Sequence, residues 1–338
     1  MRQFMIGLVA AAFATVAATG VALADAHAKL NPAVVYDLGG KNDKSFNESA
    51  YTGAERFKKD TGTEYKDFEI QNDAQREQAM RRFAKDGHNP IVVIGFSQAA
   101  ALEKVSKEFP DTKFAIVDMV VEQPNVRSVL FSEHEGSYLV GVMAAKASKT
   151  GKVGFVGGMD IPLIRKFACG YVQGVRSVNP EAEIFQNMTG TTGAAWNDPV
   201  KGAELAKSQI DRGADVIYHA AGGTGIGVLQ AAADAGALGI GVDSNQNGMH
   251  PGKVLTSMLK RVDNAVYNAF NDVKEDKWSA GFNVLGLKED GVGYAMDDNN
   301  KSLVGEDMMK AVDMASEDIK SGKVSVHNYM ADSKCPAG

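Results

Sequence analysis

The sequence is poor in the residues that form metal centres and covalent catalysts. Its 338 residues include two cysteines and six histidines, and none of them falls in an H-E-x-x-H or C-x-x-C spacing. Two cysteines alone cannot complete a zinc site, and neither a G-x-S-x-G motif nor a histidine-partnered cysteine marks a nucleophile. His134, flanked by two acids, is expected to be a surface or boundary residue where a strand leads into a helix. We therefore expect no metal, no cofactor and no enzymatic activity.

Positive charge is also scarce. The chain carries 36 lysines and arginines against 42 aspartates and glutamates, a formal net charge of −6, and it contains no basic stripe. Proteins that bind nucleic acid neutralise phosphates with clustered lysine and arginine. This acidic chain is therefore not expected to bind nucleic acid or to adhere to anionic lipid.

A long apolar run occurs near the N-terminus. It extends from Ile6 to Val21, follows Arg2 and ends in the small-x-small triplet Ala22-Leu23-Ala24, which is typical of a cleaved secretory signal peptide. The run is rich in alanine and short of the ~20 strongly apolar residues that span a membrane. We predict that residues 1–24 are removed and that the mature protein acts in the periplasm. No cysteine lies near the cleavage site, so no lipid anchor is expected.

An oxidising compartment permits the two cysteines to pair with each other. We predict a disulfide between Cys169 and Cys335, which would tie the C-terminal tail to the second half of the protein.

Apolar runs of strand length alternate with amphipathic stretches along the rest of the chain, which is typical of parallel βαβ units. The length suits two domains of about 150 residues each. The pattern predicts two consecutive βα arrays joined through residues 132–136, a late strand at 282–287, a hairpin-like return at 291–296 and a final helix. Residues 25–131 with about 261–281 are expected to form lobe 1, and residues 132–260 with about 282–338 lobe 2.

Polar and aromatic residues occur at the predicted carboxyl ends of the strands, where open α/β sheets bind ligands. An aspartate at such an end is often only the cap of the next helix, but its recurrence favours a shared site. A glycine run, residues 222–227, has the spacing GxGxG rather than GxGxxG, which argues against a dinucleotide and favours close approach of backbone to a ligand. The candidate ligand-binding residues are Asp37, Phe46, Asn47, Asp118, Trp196, Tyr218, His219, Gly222, Asp243 and Lys260.

Four segments carry a resemblance to a known family: DLGGKNDKSFNESAYTGAERF, LFSEHEGSYLVGVMAAKASKTGKVGFVGGMDIPLIRKFACGYVQG, GADVIYHAAGGTGIGVLQAA and GIGVDSNQ. They resemble the basic membrane protein family of periplasmic substrate-binding proteins, which includes purine nucleoside receptors of ABC importers. The resemblance extends over essentially the whole mature chain. It implies a type I periplasmic binding protein, an α/β fold of two Rossmann-like lobes with parallel sheets joined by a three-segment hinge. It also implies a monomer that binds a purine nucleoside between the lobes and delivers it to permease subunits in the inner membrane.

The resemblance also assigns roles to the candidate residues. Phe46 would stack on the purine, Asn47 and Asp118 would bind its edge, and Asp37 would support that end of the site. Asp243 and Lys260 would pair and hold the ribose hydroxyls. The second stacking residue stays open between Tyr218, His219 and Trp196.

Two alternatives stay open at this point. A sugar or a free nucleobase could bind to the same fold, because sugar sites also combine acids, amides and stacking rings. Paired carboxylates could also support a nucleoside hydrolase, although no acid stands out as the proton donor.

Overall fold

The computed structural model describes residues 30–336. The predicted signal peptide, residues 1–24, lies outside these residues. Within the described part of the chain, every helix is too short or too polar to cross a membrane.

The first sheet has six strands in the order β11-β5-β4-β3-β1-β2, and all of its pairings are parallel. Its central strands are continuous apolar runs such as IVVI and FAIV, whose residues are buried on both faces by helices, as expected for parallel strands. Its strands are β1 (Ala33–Tyr36), β2 (Lys66–Glu69), β3 (Ile91–Ile94), β4 (Phe114–Val117), β5 (Val126–Phe131) and β11 (Gly281–Leu285).

The second sheet repeats this topology in the order β12-β10-β9-β8-β6-β7. Its pairings are parallel except for the last strand, which runs antiparallel to β10. Its strands are β6 (Lys152–Met159), β7 (Glu183–Gly190), β8 (Val216–Ala220), β9 (Leu238–Asp243), β10 (Val254–Lys260) and β12 (Val292–Tyr294).

The helices cover both sheets, and local sequence signals set several of their ends. Helix α1 ends at Gly62, whose φ of 69° is the left-handed conformation that glycine adopts readily. Helix α6 starts with Pro199 after Asp198, whose side chain accepts the Lys201 N–H as a cap. The helices are α1 (Phe46–Thr61), α2 (Gln75–Lys85), α3 (Ala99–Glu108), α4 (Glu133–Ala147), α5 (Pro162–Val178), α6 (Pro199–Asp211), α7 (Gly225–Asp234), α8 (Val262–Lys274) and α9 (Glu306–Lys320).

The chain crosses between the two sheets three times, so the fold is the predicted two-lobed α/β fold. The crossings follow Phe131, Lys260 and Leu285. Backbone hydrogen bonds join them: the Ser132 N–H donates to the Leu285 carbonyl oxygen, and the Arg261 N–H donates to that of Gly291, both at 2.9 Å. Helix α8 packs on α1 of the first lobe, and α9 packs on α4 of the second.

The structure corrects the expected course of the late segment. Residues Gly281–Leu285 pair with β5 along their whole length, so the chain returns to lobe 2 after Leu285 and not between 281 and 282. The expected hairpin at 291–296 is also wrong, because Val292–Tyr294 pairs with β10 in the other sheet.

Two further expectations concern single residues. The structure joins Cys169 and Cys335 in a disulfide that ties the C-terminal segment to α5. His134 lies at the expected boundary between β5 and α4 but is buried rather than on the surface, and burial lowers the pKa of its imidazole to about 4.

Candidate functional site

A cavity lies between the lobes at the carboxyl ends of both sheets. The space between the surrounding protein atoms is about 630 Å³, part of it continuous with solvent, and about 70 Å³ of it can hold the centre of a water molecule. In each lobe it borders the point where the strand order reverses, between β1 and β3 and between β6 and β8. Its lining includes eight of the ten predicted residues: Asp37, Phe46, Asn47, Asp118, Trp196, Gly222, Asp243 and Lys260.

Asp37, immediately after β1, organises the first-lobe side of the cavity. One carboxylate oxygen receives an Arg76 Nη1 hydrogen bond of 2.7 Å and the Leu38 N–H, and the other receives the Ser97 hydroxyl. Both oxygens are therefore engaged by protein groups. The supporting role toward a ligand that the resemblance assigned to Asp37 stays a prediction.

The side chain of Asn47 is also engaged within the first lobe. Its Oδ1 accepts the Asp37 N–H at 3.1 Å, and its Nδ2 lies 3.3 Å from the Asp37 carbonyl oxygen. Asp43 caps the same turn, because its carboxylate accepts the backbone N–H groups of Ser45, Asn47 and Glu48. These bonds fix the loop that presents Phe46 to the cavity.

Lys260, the last residue of β10, lies at the centre of a buried charge cluster. Its Nζ is 2.6 Å from Asp118 Oδ2 and 2.9 Å from Glu133 Oε1. Lys166 Nζ is 2.6 Å from the other oxygen of Glu133 and donates to the carbonyl oxygen of Phe131. Two ammonium groups thus alternate with two carboxylates in a region closed to solvent.

The pKa values in this cluster follow from burial and from the neighbouring charges. Burial opposes ionisation of Glu133, but Lys260 and Lys166 together lower its pKa to about 2. Burial raises the pKa of Asp118, and the Lys260 ammonium offsets part of that rise. Burial opposes the charge on Lys260, but the surrounding carboxylates prevail and raise its pKa. Within residues 30–336, Asp118 Oδ1 has no hydrogen-bond partner, so a ligand could bond to it.

The ion pairs of Lys260 are with Asp118 and Glu133 rather than Asp243. Lys260 and Asp243 nevertheless favour each other's charged form, as the expected pairing implied. Asp243 lies at the end of β9 and its Oδ2 accepts a hydrogen bond from the Ser45 hydroxyl, which belongs to the other lobe. Burial raises the pKa of Asp243 to about 7, against the opposing influence of Lys260 and the Ser45 hydrogen bond. The Asp243 carboxyl in this arrangement therefore gains or loses a proton near neutral pH.

Aromatic rings reach the cavity from both lobes. Phe46 enters from the first residue of α1, and Trp196 enters from the turn after β7; both are partly buried. The Lys260 ammonium lies 5.0 Å from the centroid of the Phe46 ring and 5.6 Å from that of Phe167, within the range of cation–π attraction. The cavity therefore combines apolar ring faces with a fixed positive charge.

Tyr218 and His219 do not line the cavity, so neither supplies the second ring there. Tyr218 is fully buried in the second-lobe core, where its ring packs edge-on against Phe155 and its hydroxyl lies 3.2 Å from Ser137 Oγ. His219 points to the opposite face of β8 and contacts Gln246 at 2.9 Å. Of the three candidates, the structure brings only Trp196 to the cavity.

The glycine run has two structural explanations. Gly222 lines the cavity with a φ of 56°, where the absence of a side chain permits both the turn and a close approach. Gly225 instead lets α7 pack on the His219 ring, since a Cβ atom at this position would overlap the imidazole. The expected approach of backbone to ligand therefore fits Gly222 and not the rest of the run.

The sequence analysis missed several residues of the site. Glu133 and Lys166 complete the charge cluster, and Leu163, Phe167 and Asp43 line the cavity. Within residues 30–336, no group of three histidine, cysteine or acidic side chains has the arrangement of a metal site.

Comparison with known proteins identifies the family. Residues 31–328 match the family model Bmp, described as ABC transporter substrate-binding protein PnrA-like. The chain belongs to this family. It is 35% identical over 317 residues to a CD4+ T-cell-stimulating antigen of Listeria monocytogenes, with 87% of each chain covered. It is 33% identical over 323 residues to the ABC transporter nucleoside-binding protein BmpA of Lactococcus lactis, covering 88% of this chain and 89% of that protein.

A solved structure confirms the fold of this Bmp-family protein. An ABC transporter solute-binding protein from Aeropyrum pernix superposes with a TM-score of 0.80 at 30% identity, covering 88% of this chain and 93% of the other. The protein is thus an extracytoplasmic ABC transporter substrate-binding protein with the type I fold.

Proposed function

We propose that this protein binds a purine nucleoside between its lobes and delivers it to the permease of an ABC importer. The observation that carries the proposal is the meeting, in one interlobe cavity, of two rings from opposite lobes with buried hydrogen-bonding charges. A similar protein, BmpA of Lactococcus lactis, is named as nucleoside-binding, which supports the ligand class.

The rings suit the base of such a ligand. Phe46 and Trp196 enter from opposite lobes, so a flat base placed between them closes the cleft by contact with both. Stacking on an aromatic side chain contributes about 1–3 kcal/mol per base and tolerates any purine. Asp118 Oδ1, which lacks a partner among the described residues, would accept an N–H group from the edge of the base.

The charges suit the sugar. Asp243 and Lys260 both line the cavity from the second lobe, and ribose offers two adjacent hydroxyls that donate to a carboxylate and accept from an ammonium. A ligand without these hydroxyls would leave buried polar groups unpaired, which can reduce binding by roughly 10⁴. The polar groups therefore provide selectivity, whereas the rings provide affinity.

The role in transport follows from the family. We propose that the protein acts in the periplasm as a monomer, and that its closed, loaded form is recognised by permease subunits in the inner membrane. We further propose that it has no catalytic activity.

Titration calorimetry tests the ligand. Adenosine, guanosine and inosine are titrated into protein that has been unfolded and refolded to remove any bound ligand, alongside their free bases, their 2′,3′-dideoxy forms and the common pentoses. We expect the nucleosides to bind more tightly than all the others. Tight binding of a pentose alone would identify a sugar-binding protein. Equal affinity for base and nucleoside would show that the proposed ribose contacts contribute nothing to binding.

A second measurement tests for catalysis. A nucleoside is incubated with the protein for hours and free base is measured by chromatography. Release above that of a protein-free control would show a nucleoside hydrolase instead of a binding protein.

A further inference from the structure

Gln246 bonds to both lobes although it lies outside the cavity lining. It follows β9, and its side chain is buried with the residue 2% exposed. Its Nε2 donates to the Lys44 carbonyl oxygen of the first lobe at 2.9 Å, and its Oε1 accepts the Val242 N–H of the second lobe at 2.8 Å. The carboxamide therefore spans the interface between the lobes.

His219 fixes the direction in which this carboxamide points. Its Nε2 lies 2.9 Å from Gln246 Oε1, the oxygen that already accepts the Val242 N–H. Because an amide oxygen can only accept a hydrogen bond, this contact requires the His219 imidazole to carry a proton on Nε2. With two donors directed at Oε1, rotation of the amide by half a turn would lose both bonds, so Nε2 stays directed at Lys44.

The imidazole is neutral in this arrangement. Burial lowers the pKa of His219 to about 4, and Nδ1 has no hydrogen-bond partner in the described part of the chain. A fully buried ring with one unpaired nitrogen costs free energy. A role in orienting Gln246 explains why a histidine occupies this position.

The two backbone turns that meet here are both strained. Lys44 has a φ of 63° and Asp243 a φ of 65°, conformations that are uncommon for residues other than glycine and that cluster at functional sites. Ser45 lies between them: its hydroxyl donates to Asp243, and its carbonyl oxygen accepts the Ser244 hydroxyl at 2.8 Å. The position of Phe46, the next residue, is thereby set relative to Asp243.

We propose that His219 and Gln246 are positioning residues that hold the first-lobe loop carrying Phe46 against Asp243 when the lobes close. Neither residue touches the ligand; both act through the Lys44 carbonyl and the Val242 N–H. The inference rests on the proposed function, because ligand affinity is one measure of closure.

The variants Gln246→Met and His219→Leu remove these hydrogen bonds with little change in volume. His219→Gln keeps an N–H donor near the position of Nε2 and serves as the conservative replacement. Gln209→Met is the matched control, because Gln209 is also fully buried but donates to Phe155 and Asn187 within the second lobe.

Two measurements are made on each variant: calorimetric affinity for the nucleosides, and amide hydrogen exchange of residues 41–48 without ligand. We expect Gln246→Met and His219→Leu to lower the affinity for every nucleoside by on the order of tenfold. Both variants should also speed amide hydrogen exchange in residues 41–48. His219→Gln should restore both. Gln209→Met should lower the melting temperature but leave affinity and exchange within twofold of wild type.

Equal losses in the Gln209 and Gln246 variants, or unchanged exchange in Gln246→Met, would overturn the proposal. The exchange measurement needs no ligand. Failure of wild type to bind any nucleoside would therefore contradict the proposed function, while the exchange result would still decide the roles of His219 and Gln246.

Discussion

At the scale of single residues, the charges of the buried charge cluster depend on one another. Lys260 and Lys166 share the carboxylate of Glu133, and Lys260 also bonds to Asp118. A buried charge is tolerated when an opposite charge and hydrogen bonds replace water, and removal of one partner leaves the other uncompensated. The four groups should therefore respond to substitution as a unit.

We predict that Glu133→Gln destabilises the protein by about 3–5 kcal/mol, because within the described residues it leaves the buried Lys166 ammonium without a carboxylate partner and Lys260 with Asp118 alone. Chemical denaturation measures the free energy of unfolding. The control is Glu103→Gln, which removes an exposed i,i+4 pair with Lys107 and should cost less than about 1 kcal/mol. Similar small losses in both variants would show that the cluster does not act as a unit.

A second residue-scale prediction concerns pH. In the present closed arrangement, burial raises the pKa of Asp243 from 3.8 to about 7, so the carboxyl is half protonated near neutral pH when the lobes are closed without ligand. Ribose hydroxyls donate to the ionised form, so binding should expel a proton. Nucleoside affinity should therefore rise between pH 5 and about pH 7, by up to about tenfold per pH unit, and level off above.

Calorimetry in buffers of different ionisation enthalpy measures this proton release. Asp243→Asn, which cannot ionise, should bind more weakly at pH 8 and show no proton release. A wild-type affinity that is constant from pH 5 to pH 8 would exclude linkage to this carboxyl.

At the scale of elements, strand geometry explains which site residues the sequence could reveal. Asp118, Asp243 and Lys260 follow or end apolar runs, and the carboxyl end of a strand is readable from the sequence. Tyr218 and His219 lie within β8, where successive side chains point to opposite faces of the sheet, towards helices and away from its edge. Their positions within the strand, before its carboxyl end, could therefore have excluded Tyr218 and His219 as ligand contacts.

Other members of the site could not be found in this way. Glu133 is the first residue of α4 and Lys166 is the fifth of α5, and nothing in the local sequence distinguishes them from exposed helix charges. Their burial depends on the two lobes meeting over them. The return strand Gly281–Leu285 was misplaced for a similar reason: it is an edge strand with exposed apolar residues, and no pattern in it specifies which sheet it joins.

The disulfide allows a prediction about the C-terminal element. Cys335 is bonded to Cys169 of α5, and the His327 N–H donates to Gln173 on the same helix at 2.8 Å. Most other residues after Ser321 are at least partly exposed, so the disulfide is the main tether of this segment. Neither cysteine lines the cavity.

We predict that thiol titration of the denatured, unreduced protein finds no free thiol. Reduction, or the double variant Cys169→Ser with Cys335→Ser, should speed amide exchange in residues 324–336 and lower the melting temperature by a few degrees. Nucleoside affinity should stay within twofold of wild type. A large loss of affinity would show that the tail supports the site.

At the scale of the whole molecule, the contacts across the cleft describe a closed arrangement. The Ser45 hydroxyl reaches Asp243 of the other lobe, and Gln246 reaches Lys44. The hydrogen bonds between the crossing segments, Ser132 to Leu285 and Arg261 to Gly291, lie at the hinge itself. Rotation of the lobes about these crossings would break the cleft contacts while preserving the bonds at the hinge, which is how hinged binding proteins open.

We predict that the ligand-free protein in solution exchanges between the present closed arrangement and an open form, so that its mean radius of gyration is larger than that of the present structure. Small-angle scattering should show that a saturating nucleoside decreases the radius of gyration to that of the closed structure, residues 30–336. The physical reason is that Phe46 and Trp196, on opposite lobes, both contact the base only when the lobes close, so the ligand favours the closed population. A pentose at the same concentration is the control and should leave the curve unchanged. If the ligand-free curve already matches the present structure while calorimetry shows binding, the lobes close without ligand, and the contacts from Ser45 and Gln246 suffice to hold them.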